Sequence, residues 1–338
     1  MDLHVNNILK DLEKDDIQAY LITQFTNVEY ISKYKPTSFA FCIIKENPII
    51  YVSEMDMELA VRDSTINVKQ YESYDVMIQE LKKEGIENLA IEPALPYSTY
   101  AKFKDDFEIS SQTYIDKQRM IKTDSEIEKI TKATEIAQKS FLQLDILNNK
   151  STEKAVAFDL VRHMIENGAS RESFDTIVTS GPNSSLPHAI PQAKKLGRPV
   201  LIDWGAIFEG YCSDNTRTVV YSESQQEIWD IVAEAHDKTV KAIRPGLKCC
   251  EVDKVARDII AEYGYGDKYI HSTGHSLGLD IHETPVFSSR DETIIEKGMV
   301  ITVEPGIYLE GKFGVRLEDT VAISKKADVI GDLPLKID

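Results

Sequence analysis

Residues 199–221, PVLIDWGAIFEGYCSDNTRTVVY, hold Asp203 and Asp214 in two strand-like runs separated by a turn at Phe208 to Gly210. The two acids are symmetric about the Phe208–Glu209 peptide, so a tight hairpin there sets their carboxylates opposite each other, with Cβ atoms roughly 5 Å apart. The pattern recurs in residues 299–323, MVITVEPGIYLEGKFGVRLEDTVAI, where Glu304 and Glu318 are symmetric about Gly311. Carboxylates facing each other among Val200, Leu201 and Ile202, or among Val300, Ile301 and Val303, repel, and desolvation deepens the repulsion. They persist only by binding protons or cations. One such pair alone reads as solvated acids on an open sheet face; two pairs in matching apolar settings point to divalent cations.

Three of the seven histidines fall between these segments, in HSTGHSLGLDIH at residues 271–282. His275 and His282 are seven apart, which sends them to opposite faces of a regular strand. Either Gly278 marks a bulge or the two serve different roles, one as ligand and one as proton handler, and the second reading is preferred. His4, His163 and His236 read as ordinary core or surface histidines.

The elements that must position these groups follow from periodicity. Before residue 119, short apolar runs at Ala19 to Ile22, Phe39 to Ile44 and Ile49 to Val52 predict strands, and helical spacing near 55–63 and 75–84 predicts helices, together a small α/β domain over residues 1–118. Thr123 to Glu126 matches a capping box that opens a second domain, 119–338. There the order recurs: a helix with Ile127, Ile130, Ala133, Ala137, Phe141 and Leu144 on one face, a second over Ser151 to Asn167, then strands. Helices at about 225–243 and 251–263 follow, with further strands behind them. The second domain therefore reads as two related αα-plus-sheet halves.

The chain has 338 residues and a net charge of −17, an ordinary globular composition that is strongly acidic. That charge repels phosphate backbones and no basic stripe offsets it, so nucleic acid is excluded as a partner. No phosphate cradle of the G-x-x-x-x-G-K type is present. No run approaches the roughly 18 apolar residues of a membrane span, and the start, MDLHV, has no basic segment with an apolar run behind it. Cys42, Cys212, Cys249 and Cys250 fit neither a disulfide framework nor a CxxC clip. A soluble cytoplasmic protein with buried thiols is expected.

With NVEYI at residues 27–31, DWGAIFEGYCSDNTRT, GHSLGLDIHE, VEPGIY and GVRLED, the chain resembles the M24 metallopeptidase family over nearly its whole length. This is the pita-bread fold shared by Xaa-Pro dipeptidases, Xaa-Pro aminopeptidases and methionine aminopeptidases. The resemblance implies an α/β N-terminal domain of the creatinase type, an α+β pita-bread catalytic domain, and, from the two-domain layout, the proline-specific branch. It implies that Asp203 chelates one metal, that Asp214 and Glu318 bridge two, and that His275 and Glu304 complete the second. An oxygen-rich set with one imidazole suits Mn, Co, Zn or Fe(II), with Mn or Co named first from the resemblance. Glu304 is then the proton carrier, His188 and His282 line the substrate pocket, His271 lies near the metal centre, and Arg316 holds Asp203 from behind.

The implied activity is hydrolysis of dipeptides with C-terminal proline by a homodimer. The alternatives are an Xaa-Pro aminopeptidase acting on longer peptides, or a creatinase-like hydrolase or metal-free binding homologue, relatives that typically lose ligand residues which this sequence retains. Two positions depart from the family pattern. Val286 stands where some Xaa-Pro dipeptidases carry arginine, with Arg290 the nearest substitute, and Lys33 stands where the N-terminal signature commonly has glycine.

Overall fold

Apolar runs without polar alternation suit strands covered on both faces, and those of the first part of the chain form the centre of a six-stranded mixed sheet. Its order is Asn67–Gln70, Ile49–Val52, Ala40–Ile44, Ala19–Ile22, Asn88–Ile91 and Glu108–Ser111, with the two polar strands at the edges. The computed structural model describes residues 3–145 and 151–337, and the chain divides into the units Met1–Arg119 and Met120–Asp338. In the first unit Glu92, at the end of its strand, is buried and accepts hydrogen bonds from the Thr23 and Gln24 N–H groups and from Asn27. It thereby caps the start of helix Phe25–Ser32. Lys33, in the place where glycine is common, ends that helix at φ 64° and ψ −1°, the left-handed conformation glycine favours, and its Nζ donates back to the Tyr30 carbonyl at 2.7 Å.

The second unit opens with helix Asp124–Phe141, whose capping box forms between Thr123 and Glu126. Helix Glu153–Glu166 follows, then a three-stranded sheet in the order Asn215–Val219, Val200–Trp204, Ile177–Ser180. The same order repeats with helices Glu223–Ala242 and Cys249–Glu262. Behind them lies a five-stranded sheet: Glu283–Phe287, Gly274–Ser276, Val300–Val303, Asp319–Ile323, Ala327–Val329. Each half packs its helices on its sheet. In the first half Trp204 is fully buried, stacks on Phe141 with centroids 4.4 Å apart and donates its indole N–H to the Ala137 carbonyl at 2.9 Å. Removing roughly 200 Å² of indole from water contributes about 5 kcal/mol, next door to Asp203 on the same strand. Among the described residues no helix is long and apolar enough to cross a membrane.

Candidate metal centre

In the first acidic hairpin the register differs from the one expected. Phe208 pairs with Tyr211 and Asp203 pairs with Thr216, so the turn is centred on Glu209–Gly210, and Asp214 lies two residues out of direct opposition. The reason is turn chemistry. A two-residue hairpin loop needs positive φ at its first central position, and in the type I′ form at both. Glu209 (46°) and Gly210 (86°) supply it, whereas a turn on Phe208–Glu209 would force an aromatic residue there. A shift of two preserves the side-chain face, so Asp203, Thr216 and Asp214 still point the same way. The hairpin also breaks near Asp214. A Cβ on Gly205 would lie 1.9 Å from the Ser213 carbonyl oxygen, so only glycine permits this close backbone crossing.

The second hairpin keeps the expected register. Val303 pairs with Asp319 and Gly306 with Arg316, which sets Glu304 opposite Glu318. Period-two alternation then lines one face with Glu304, Gly306 and Tyr308 on one arm and Gly314, Arg316 and Glu318 on the other. The glycines leave room for the tyrosine ring: a Cβ at either Gly306 or Gly314 would come within 2.7 Å of Tyr308. The two hairpins join where the Glu318 N–H donates to the Thr216 carbonyl at 3.0 Å and the Thr216 hydroxyl donates to Glu318 Oε2 at 2.7 Å.

His275 and His282 do not occupy opposite faces of one strand. Strand Gly274–Ser276 ends in a six-residue loop, and Ser276 pairs with Glu283 across its base, so the two imidazoles meet with centroids 4.4 Å apart. The irregularity lies between His275 and Ser276. Gly278 is instead a close approach, where a Cβ would sit 2.7 Å from Glu283 Oε1. Lys122 Nζ pins the loop's base, donating to Ser276 Oγ at 2.8 Å and Glu283 Oε2 at 3.2 Å.

Asp203, Asp214, Glu318, His275 and Arg316 are all buried, and Glu304 keeps 16% of its side chain exposed. Burial, then the charges of Glu318, Asp203 and Glu304, push the Asp214 carboxyl well above the usual carboxylate range. Burial, then Glu304 and Asp203, do the same to Glu318. Glu304 is pushed up to about 8 by burial, against the opposing pull of Arg316. These groups demand compensating positive charge, and a cation is an alternative to protons.

The donor set fits a cation. Asp203 Oδ1, Asp214 Oδ1 and Glu318 Oε1 are buried without a hydrogen-bond partner, a costly condition unless an ion takes the lone pairs. One ligand atom from each of Asp214, His275 and Glu318 lies within 4.8 Å of the others. Burial lowers the His275 pKa to about 4, so the ring is neutral. Its Nδ1–H donates to the Ser276 carbonyl at 3.1 Å. The Nε2 lone pair then faces Asp214 Oδ2 at 3.5 Å and Glu304 Oε1 at 3.7 Å, lone pair against lone pair, which a cation between them converts to attraction.

Arg316 reaches Asp203 with Nη2 and donates to the Tyr308 hydroxyl from Nη1 at 2.7 Å. The Tyr308 O–H in turn meets His271 Nε2 at 2.9 Å, while His271 Nδ1 donates to the Ser272 carbonyl at 2.8 Å. Burial and the neighbouring Arg316 lower the His271 pKa to about 3, which keeps Nε2 an acceptor for the tyrosine. His271 thus belongs to the chain that steadies Asp203. His188 stands on an exposed loop, where Leu186, Pro187, His188, Ala189, Ile270 and His271 line a cavity of about 440 Å³. Val286 sits directly across the strand pair from His275, and Arg290 is exposed in the turn beyond it.

Sequence reasoning missed Thr216, Tyr308 and Arg217. The first two carry a usable signal, since each lies an even number of residues from an acid on its own hairpin arm. Arg217 carries none: fully buried, it donates to Asp319 and to the Leu333 and Pro334 carbonyls, holding the C-terminal segment behind Glu318.

A doubled αα-plus-sheet unit whose paired hairpins converge on an oxygen-rich cation pocket is the pita-bread fold of metal-dependent hydrolases. Residues 128–325 match the model of metallopeptidase family M24 and residues 4–121 that of the creatinase/prolidase N-terminal domain, and the chain belongs to family M24. It is 40% identical over 336 residues to an Xaa-Pro dipeptidase of Pyrococcus horikoshii, covering 96% of this chain and 95% of that one. Its fold matches the crystal structure of the prolidase from Pyrococcus horikoshii OT3 with a TM-score of 0.94 at 39% identity, over 98% of this chain and 99% of the other. An X-Pro aminopeptidase from Thermotoga maritima matches with a TM-score of 0.87 at 32% identity, over 96% and 99%.

Proposed function

We propose that this M24 metallopeptidase is a dinuclear Xaa-Pro dipeptidase, with Asp203, Asp214, His275, Glu304 and Glu318 holding two divalent ions, Mn or Co first and Zn or Fe as alternatives. The observation that carries this reading is the trio of buried carboxylate oxygens without partners, set around a neutral imidazole. When bound, the ions supply a water of lowered pKa and a Lewis-acid grip on the scissile carbonyl. Glu304, which keeps some exposure at the edge of the cluster, takes a proton and delivers it to the proline nitrogen, which must leave as an amine. His188 and His282 steady the carbonyl oxygen and the proline ring, and Arg316 fixes Asp203. An X-Pro bond is a tertiary amide with no N–H, so a pocket that fits the ring and asks for no donor selects it.

The expected result is hydrolysis of an Xaa-Pro dipeptide that depends on added Mn or Co and disappears in EDTA. An undiminished rate after EDTA treatment overturns the metal-dependent reading. The likeness to the Thermotoga maritima X-Pro aminopeptidase favours a second reading, cleavage of longer peptides. Faster turnover of an Xaa-Pro-Xaa tripeptide than of the dipeptide would select it. The same proposal takes the protein as a cytoplasmic homodimer, consistent with four unpaired cysteines and checked by its elution from a sizing column.

A further inference from the structure

We infer that Glu153 is a positioning residue for the substrate pocket, clamping both ends of the loop that carries His188. The inference rests on the reading of His188 as a pocket residue.

Glu153 is fully buried at the start of helix Glu153–Glu166. The helix N-terminus favours an acid there, yet the carboxylate is engaged by the loop. Its Oε1 accepts from the Ser180 N–H at 2.8 Å and the Ser180 hydroxyl at 2.7 Å. Its Oε2 accepts from the Gln192 N–H at 2.9 Å and from Asn183 Nδ2 at 3.2 Å. Ser180 closes the strand that enters the loop, Asn183 lies in its first turn and Gln192 marks its return. The Ser180 hydroxyl also accepts from the Gly197 N–H at 2.7 Å, tying the stem a second time.

Gly181, Asn183, Ser184 and Ser185 are buried, but beyond Ser185 the loop has little packing to place it. Leu186 and Ala189 border cavities on both faces, and Leu186 and Ile190 are 58% and 79% exposed. Two further anchors tie the span to the second acidic hairpin: the Ser184 hydroxyl accepts from the Gly314 N–H at 3.0 Å, and the Pro187 carbonyl accepts from Arg316 Nη1 at 3.4 Å. Ser184 and Pro187 hold the approach to His188, whereas the return from Ala189 is held at Gln192, so where the imidazole stands relative to the hairpins depends on the Glu153 clamp together with these contacts. Only a carboxylate serves four donors on two oxygens. A glutamine amide would turn one acceptor into a donor facing two others.

The test is a double-mutant cycle on the metal-loaded full chain with an Xaa-Pro dipeptide: Glu153→Gln, His188→Ala and both together. Glu153→Gln is expected to lower kcat/KM by about 10- to 100-fold, mostly through KM, with metal bound per chain unchanged. In the His188→Ala background the same change should cost no more than about twofold, because the two act through one contact. Multiplying losses, metal lost along with activity, or a silent His188→Ala beside a damaged Glu153→Gln each overturn the inference. Amide hydrogen exchange over residues 181–192 should quicken in Glu153→Gln whatever peptide the enzyme prefers, and unchanged exchange sinks the clamp independently of the substrate assignment. Should Glu153→Gln not fold, Asn183→Ala removes a single donor, leaves the carboxylate in place and carries the same cycle, with a loss of several-fold expected.

Discussion

Glu304→Gln is expected to lower turnover of an Xaa-Pro dipeptide by about 10²- to 10⁴-fold and, at the same time, to make the metal-free protein more stable at pH 8. The first effect follows from removing the group proposed to carry a proton to the leaving nitrogen, a contribution of that size in general acid–base catalysis. The second follows from the electrostatics of the cluster. Glu304 adds to the charges that push Asp214 and Glu318 upward, and a neutral amide of the same shape relieves them. Activity and metal-free stability should therefore move in opposite directions in one variant. An assay paired with a melting curve in EDTA reads both; a variant that loses activity and stability together would mean that Glu304 is a structural acid.

The melting temperature of the metal-free protein should fall as pH rises from about 6.5 to about 8, and Mn or Co added at pH 8 should restore it while releasing protons. The sign is set by proton binding. Glu304 titrates near 8 in the folded chain against 4.5 as its ordinary value, so between those pH values the folded state holds the extra proton. Stability from that proton is complete below about 4.5 and is lost as pH rises through about 8, roughly 1–2 kcal/mol of it above pH 6.5. Asp214 and Glu318 shift in the same direction. His271 and His275, depressed to about 3 and about 4, act with the opposite sign but only below about 6.5, which is why the upper window leaves them out. His236, where desolvation is outweighed by Asp237 and Asp319, adds a fall of its own above 6.5. The Glu304→Gln variant and the metal addition separate the two, since neither touches His236. A melting temperature that is flat with pH and indifferent to metal would show that the acids do not share one site.

Much of the site was legible because its spacing is local. Glu304 and Glu318 follow from a single glycine turn, since Gly311 at φ 67° centres a symmetric hairpin and period two does the rest. The capping box at Thr123, the central strands and the duplicated helix pair rest on equally short-range rules. The five candidate ligands stood in recognisable strings for the same reason. The first hairpin shows where such reasoning stops. Its turn slid by one position to Glu209–Gly210 because backbone sterics, invisible to symmetry arithmetic, disfavour an aromatic residue at positive φ.

Tertiary structure decided the rest. His275 and His282 share a side because a loop, held by Lys122 some 150 residues away in sequence, folds between them. The chain from His271 through Tyr308 and Arg316 to Asp203 crosses from one half of the unit to the other. Glu153 was unremarkable in sequence until its four donors were seen around it. Turn geometry and side-chain alternation act over a few residues and are written in the order of amino acids. The hydrogen bonds that satisfy a buried charge are chosen by whichever groups the packed chain brings within 3 Å, and that proximity exists only after folding.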